Sequence, residues 1–307
     1  MAHDGTNCPG FRIGEYRRFR DAANYSANGF KETLRAMIST VPPRDWTDIH
    51  WPDISGAGVE RWIAVLPLAA TEQHGPHLPL GTDVMIAQAY LERVRELLPA
   101  IVPVTFLPVQ PVGISTEHID YPGTLTLATE DALREWMALG TSVARAGIRK
   151  LVMVTSHGGN SAAMTLVAQD LRAKHRLLAV TTGWSRFGTP DGLFTAEELR
   201  HGVHGGAVET SIMLARYPQA VARDRIADFR PASVAMEKEY RWLSAHRPAP
   251  FAWQAQDLHP SGAAGDATQA TAEKGRQLID HGASAFCELL ADVDKFDPKT
   301  LGGRPQS

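Results

Sequence analysis

The stretch Trp62-Ile-Ala-Val-Leu-Pro-Leu-Ala-Ala-Thr-Glu-Gln-His-Gly-Pro-His-Leu-Pro-Leu-Gly-Thr-Asp83 joins an apolar run to a loop crowded with ionisable side chains. The run Trp62 to Pro67 predicts a buried strand, because uninterrupted apolar residues leave no face for water. Asp83 to Leu98 predicts a helix, with Ile86, Tyr90, Val94 and Leu97 on one face and Asp83 at the N-cap. The same unit recurs downstream. A strand around Val104 to Pro108 leads to a helix from Glu130 to Ala146, with Thr129 at its cap and Gly147 closing it. A strand from Leu151 to Thr155 leads to a helix from near Asn160 to Lys174, and Leu177 to Thr181 gives a fourth strand. Such alternation predicts an α/β fold with a mostly parallel central sheet covered on both faces. A helix over Ala207 to Ala215, a proline-broken stretch from Pro218 to Pro260 and a long helix from about Ala267 to Val293 complete the pattern.

Composition agrees with one sizeable core. The chain has 307 residues, 44% hydrophobic and 21% charged, which excludes wholesale disorder, collagen-like repeats and a coiled-coil rod. A net charge of −3 gives no electrostatic ground for nucleic-acid or anionic-membrane binding. The longest apolar stretch, Trp62 to Ala70, is too short to span a bilayer, and the N-terminus lacks the order of a signal peptide. Cys8 and Cys287 stand far apart with no CxxC spacing, so a reducing cytoplasm is expected. Residues 1–50 are expected to form an N-terminal extension or arm, with Met37 as an alternative start, residues 51–295 the folded domain and 296–307 a flexible tail.

In an open parallel sheet, ligands bind beyond the carboxyl ends of the strands. Past the first strand stand Glu72, His74 and Asp83; past the second, Gly113-Ile-Ser-Thr-Glu-His118; past the third, Ser156-His-Gly-Gly-Asn160. Two hard carboxylates with an imidazole suit zinc, manganese or iron in a hydrolytic site. Gly75, Pro76 and Pro79 stiffen that loop, while His77 and His118 read as hydrogen-bonding loop residues. A dinucleotide fold fails, because Gly56-Ala-Gly58 precedes its strand and lacks a third glycine. A serine hydrolase fails for want of a GxSxG elbow.

These segments resemble the creatininase (creatinine amidohydrolase) family. The resemblance rests on Glu72-x-His74-Gly-x-His77-Leu-Pro-x-x-Thr-Asp83, then Ser156-His-Gly-Gly-Asn160 and His204-Gly-Gly-Ala-Val-Glu-Thr-Ser211, over roughly residues 45 to 293. It implies a three-layer α/β/α sandwich, two divalent metal ions per subunit, and hydrolysis of an amide or cyclic-amide C–N bond by metal-activated hydroxide. The substrate would be a small polar molecule, and the protein a homo-oligomer, often a hexamer in the family. Carried over position by position, Asp83 would bridge the ions, with Glu72 and His157 on one and His74 on the other. Gly159 stands where creatininase has a glutamate ligand, and Glu209, five residues after His204, is expected to replace it as metal ligand and catalytic group. His204 would protonate the departing nitrogen. Ser115, Gly158, Arg200 and His201 are expected to contact substrate; the last three replace an aromatic tyrosine and a Trp-Asp pair, which points to a more polar or anionic substrate than creatinine. Other family branches process a mycofactocin peptide, deformylate a cofactor precursor or open an inosose. Peptide processing, hydrolysis of another bond type, and a non-catalytic metal-binding role are therefore the alternatives.

Overall fold

Ile63–Leu68 (β1) is buried at all six positions because it lies inside a sheet rather than at its edge. In the computed structural model, which describes residues 41–56 and 58–302, β1 pairs in parallel with Val104–Phe106 (β2) on one side and Lys150–Thr155 (β3) on the other. Leu178–Gly183 (β4) adds in parallel to β3, giving the order β2-β1-β3-β4. Leu68 is level with Thr155, and Thr155 with Gly183, so three strands release their chains at one edge.

The side chains of β1 divide between two cores. Ile63 and Val65 meet Thr82–Leu97 (α1) through Ile86, Tyr90 and Val94, together with two helices further along the chain. Ala64, Leu66 and Leu68 meet Thr129–Arg145 (α2) through Trp136 and Val143, and Ser161–His175 (α3) through Met164, Val167 and Leu171. After β4 come Ala196–His201 (α4), Ala207–Arg216 (α5), Ser233–Glu239 (α6), Ala255–Leu258 (α7) and Ala272–Lys295 (α8). Ile212 and Met213 of α5 and Phe286 and Leu290 of α8 complete the first core. A core on each face of the sheet makes the expected three-layer α/β/α sandwich. Trp136 is wholly buried, and truncating such a side chain to Ala costs about 3–5 kcal/mol.

Local expectations need four corrections. Gly81, not Asp83, takes the N-cap of α1, and Asp83 is buried as the second helical residue, its carboxylate turned inward. Ala128, not Thr129, precedes α2, although Gly147 closes that helix in the left-handed conformation (φ 94°) as expected. The last helix starts at Ala272, because the Thr271 side chain accepts the Lys274 N–H and caps it there; Ala267–Gln269 before it is a separate 3-10 turn. The proline-broken stretch holds the two short helices α6 and α7.

Part of the expected arm is tied to the sheet. The Arg44 guanidinium donates to the carbonyls of Val102 (2.7 Å) and Pro99 (2.8 Å), and Phe106 N–H donates to Arg44 C=O (2.7 Å). The rest of that arm, with Met37, and the last five residues of the tail lie outside the described residues. No helix among the described residues is long and apolar enough to cross a membrane.

Candidate metal centre

The loop after β1 is closed on itself by Glu72 N–H donating to Leu80 C=O (2.9 Å), which sets Glu72 and His74 against the first turn of α1 and hence against Asp83. His157 follows directly on β3. His204 is held by two backbone hydrogen bonds with Ala264, and Gly205, in the left-handed region (φ 63°), turns the chain into α5, where Glu209 is the third residue. Gly205 N–H, one residue before the N-cap Gly206, donates to Glu209 Oε2 at 2.6 Å and ties this carboxylate to the turn that enters the helix.

These side chains converge. His157 Nδ1 lies 3.1 Å from Glu72 Oε1 and 3.6 Å from Asp83 Oδ2. His74 Nε2 lies 3.7 Å from Asp83 Oδ1 and 3.9 Å from Glu209 Oε2. His204 Nδ1 is 3.7 Å from Glu72 Oε1. Three overlapping donor groups result: Glu72, Asp83 and His157; His74, Asp83 and Glu209; and Glu72, His74 and His204.

The main chain orients each ring. His74 Nδ1 donates to Glu72 C=O (3.1 Å), His157 Nε2 to Ile114 C=O (2.7 Å) and His204 Nε2 to Gln73 C=O (2.5 Å). A carbonyl can only accept, so in the neutral ring the opposite nitrogen, which faces the carboxylates, carries the lone pair. Glu72 Oε1 and Oε2, Asp83 Oδ2 and His74 Nε2 are buried without a hydrogen-bond partner. Leaving carboxylate oxygens in that condition costs several kcal/mol each unless a cation faces them. The residues fit divalent cations through hard oxygens and imidazole lone pairs, with His118 Nε2, 3.4 Å from Glu72 Oε1, a neutral ring donor that approaches a carboxylate of the group.

In the metal-free chain, protons take the place of the cations. Burial opposes charge on His157, but Glu72, Asp83 and Glu117 outweigh it and raise the ring to about 10; His74 is raised to about 9 against its own burial by Asp83, Glu209 and Glu72. Burial would raise Glu72, yet the surrounding imidazoles hold it below the usual carboxylate range. Burial lifts Glu209 to about 7 and also raises Asp83 and Glu117. His204 goes the other way, well below the ordinary imidazole value, through burial and the neighbouring His74 and His118.

His118 and His77 are hydrogen-bonding residues, as expected. Gln73 Nε2 donates to His118 Nδ1 (2.7 Å), and the His118 ring stacks on His204 at 4.1 Å. His77 Nε2 bonds Thr210 Oγ1 at 2.9 Å.

A cavity of about 310 Å³ opens onto this group, lined by Asp83, His157, His204 and Glu209, and further by Glu117, Gly158 and Trp253. Gly158 belongs to it, with open space where a side chain would stand. The other expected substrate contacts do not. Ser115 is fully buried, with Oγ unpartnered and no part in the lining. Arg200 pairs with Glu237, and His201 bonds Glu237 Oε2 (2.8 Å) and Ser233 Oγ (3.0 Å), so both face α6. The cause lies in Glu198, whose carboxylate accepts from Ala207 N–H (2.6 Å) and Asp266 N–H (2.7 Å) and fixes the rotation of α4.

Sequence reasoning passed over Glu117 and Trp253. Glu117 adjoins His118 in a segment already marked by its position after the second strand. Trp253 comes from an aperiodic stretch that offers no such signal. Gly159 is also explained: a Cβ there would lie 2.4 Å from His157 Nε2, 2.5 Å from Ile114 O and 2.6 Å from Glu117 Oε1, inside the hydrogen bond that orients His157.

Residues 47–290 match the family model described as creatininase, creatinine amidohydrolase. A mycofactocin precursor peptide peptidase of Mycobacterium ulcerans is 34% identical over 237 residues, 75% of this chain and 83% of its own. A creatinine amidohydrolase of Pseudomonas putida is 29% identical over 259 residues, covering 77% and 90%. A solved structure described as "Creatininase Mn" superimposes with a TM-score of 0.66 over 81% of this chain and 98% of its own, at 22% identity, which shows a common fold. A family match of that length, with a relative one-third identical, makes the chain a member of the creatininase family of hydrolases.

Proposed function

We propose that the chain hydrolyses an amide C–N bond of a small polar substrate with the help of two divalent ions, zinc, manganese or both, with iron as the alternative. The observation that carries this is the set of buried, unpartnered donor atoms on Glu72, His74 and Asp83 beside a cavity large enough for a small substrate. Glu72, Asp83 and His157 would hold one ion, and His74, Asp83 and Glu209 the other. When bound, such ions supply a Lewis acid that polarises a carbonyl and acidifies water.

The protein's own groups do the rest. Asp83 serves both donor sets and so fixes them relative to each other. His204, neutral and with Nδ1 facing the centre, accepts a proton at that atom and returns it to the departing nitrogen. Gln73 holds His204 and His118 together through its backbone carbonyl and its side-chain amide. Trimming of a peptide is the second reading, favoured by 34% identity to a peptidase against 29% to an amidohydrolase. We further propose a homo-oligomer, which size-exclusion chromatography with light scattering would establish.

The test is metal analysis of the purified protein, followed by mass-spectrometric screening of lactams, cyclic ureas, formamides and short peptides with and without chelator. Turnover that is lost on chelation and restored by zinc or manganese is expected. Metal-free protein with undiminished turnover would refute the proposal.

A further inference from the structure

Glu117 belongs to none of the three donor groups, yet its carboxylate lines the same cavity. Its one ion-pair contact among the described residues is His157 Nε2 at 3.5 Å, and that ring nitrogen already donates to Ile114 C=O at 2.7 Å. The carboxylate is 19% exposed, so it is neither drowned in solvent nor sealed in the core. The same cavity is lined by Trp253, whose indole N–H is spent on Ala245 C=O (3.1 Å). What Trp253 offers a ligand is therefore π surface. No Lys or Arg is among the described residues that line the cavity, and Gly158 leaves space beside it. In the metal-loaded protein, where His157 is neutral and the ions are held by Glu72, His74, Asp83, His157 and Glu209, the Glu117 carboxylate and the Trp253 ring stand outside the donor groups. With no Lys or Arg in that lining to pair with it, a free carboxylate that shares a cavity with an aromatic surface suits an organic cation.

We propose that Glu117 and Trp253 form a specificity subsite for a cationic group, an ammonium or guanidinium, carried by the amide substrate. This inference rests on the hydrolytic reading of the metal centre and names the substrate class that the reading left open. It keeps the more polar half of the expected more polar or anionic substrate and drops the anionic half, which the guanidinium of Arg200 suggested: that group is paired with Glu237 and does not line the cavity.

The experiment reads binding rather than turnover. Benzylammonium and its neutral counterpart benzyl alcohol are titrated calorimetrically into the metal-loaded full-length protein. Wild type is expected to prefer the cation by about ten-fold, the scale of one charge-assisted contact with a cation–π contribution. Glu117→Gln should abolish most of this preference with metal content unchanged, and Trp253→Leu should weaken ammonium binding by several-fold. Equal binding of both probes to wild type, a preference that survives Glu117→Gln, or loss of metal from Glu117→Gln would overturn the proposal, the last by making Glu117 a ligand. A wild type that prefers the cation but hydrolyses no amide sinks the hydrolytic reading and leaves the subsite standing.

Discussion

Placing at position 159 the glutamate that the resemblance to creatininase implies there looks like a gain of metal affinity, and the structure predicts a loss. The Cβ that Gly159→Glu introduces would meet His157 Nε2 at 2.4 Å, Ile114 O at 2.5 Å and Glu117 Oε1 at 2.6 Å, each well inside ordinary contact. Glu117 can swing away, but Ile114 O is backbone and the His157 ring is the donor bonded to it. The wedge therefore separates His157 from its acceptor. Overpacking of this kind costs about 1–3 kcal/mol, and for a domain this size each kcal/mol lowers Tm by about 2–4 °C. Loss of the acceptor that orients a metal-binding imidazole costs about 10–100-fold in metal affinity. Gly159→Ala should behave alike, because the Cβ alone does the damage. Gly158→Ala, with nothing within 4 Å of its Cβ, should stay within about 0.5 kcal/mol of wild type. Thermal scans and elemental analysis after desalting read both effects. A Gly159→Glu protein with wild-type Tm and undiminished metal would refute this account of the glycine.

Asp83→Asn should lower metal content at both donor groups and abolish turnover, since one carboxylate serves each; elemental analysis showing full occupancy would contradict a shared ligand. Glu209→Gln should leave about one ion per chain, because the group of Glu72, Asp83 and His157 is untouched, and unchanged stoichiometry would remove Glu209 from the ligand set. Metal binding at pH 7 should release between two and three protons, because His74 and His157, raised to about 9 and about 10, are protonated in the metal-free chain, Glu209, raised to about 7, is about half protonated, and all must give up those protons to bind. Affinity should accordingly rise with pH through 7–9 and level off above the higher of the two values. Calorimetry in buffers of different ionisation heats counts the protons, and a count near zero would argue against these rings as ligands.

Strands β1 to β3 were legible because a strand buried on both faces has no choice but to be apolar, β4, half-buried over Leu178 to Thr181, through its place in the alternation, and the candidate ligands Glu72, His74, Asp83 and His157 because they follow such strands. Asp83 was misread as a cap since the residue type that caps a helix is also the one that binds a cation, and only the fold shows which demand wins. Arg200 and His201 were placed by matching them to a Trp-Asp pair in creatininase, which does not tell how a six-residue helix is rotated in this chain; Glu198 and its two backbone partners decide that. Glu117 and Trp253 reach one cavity from segments more than a hundred residues apart, with no periodicity to link them. Convergence of that kind is a property of tertiary packing alone.

The three site histidines take their orientation from carbonyl groups of Glu72, Ile114 and Gln73, and this has an evolutionary consequence. A peptide oxygen persists whatever side chain its residue carries, so replacing Ile114 by another residue of similar bulk leaves the ring of His157 anchored. The cavity wall at positions 117, 158 and 253 has no part in that anchoring by main chain. Descendants of one ancestral chain can therefore change the lining of this cavity at those wall positions, one substitution at a time, while the rings proposed to bind the ions stay aimed. A peptidase and an amidohydrolase among the relatives of this one chain are what such a division of labour would produce.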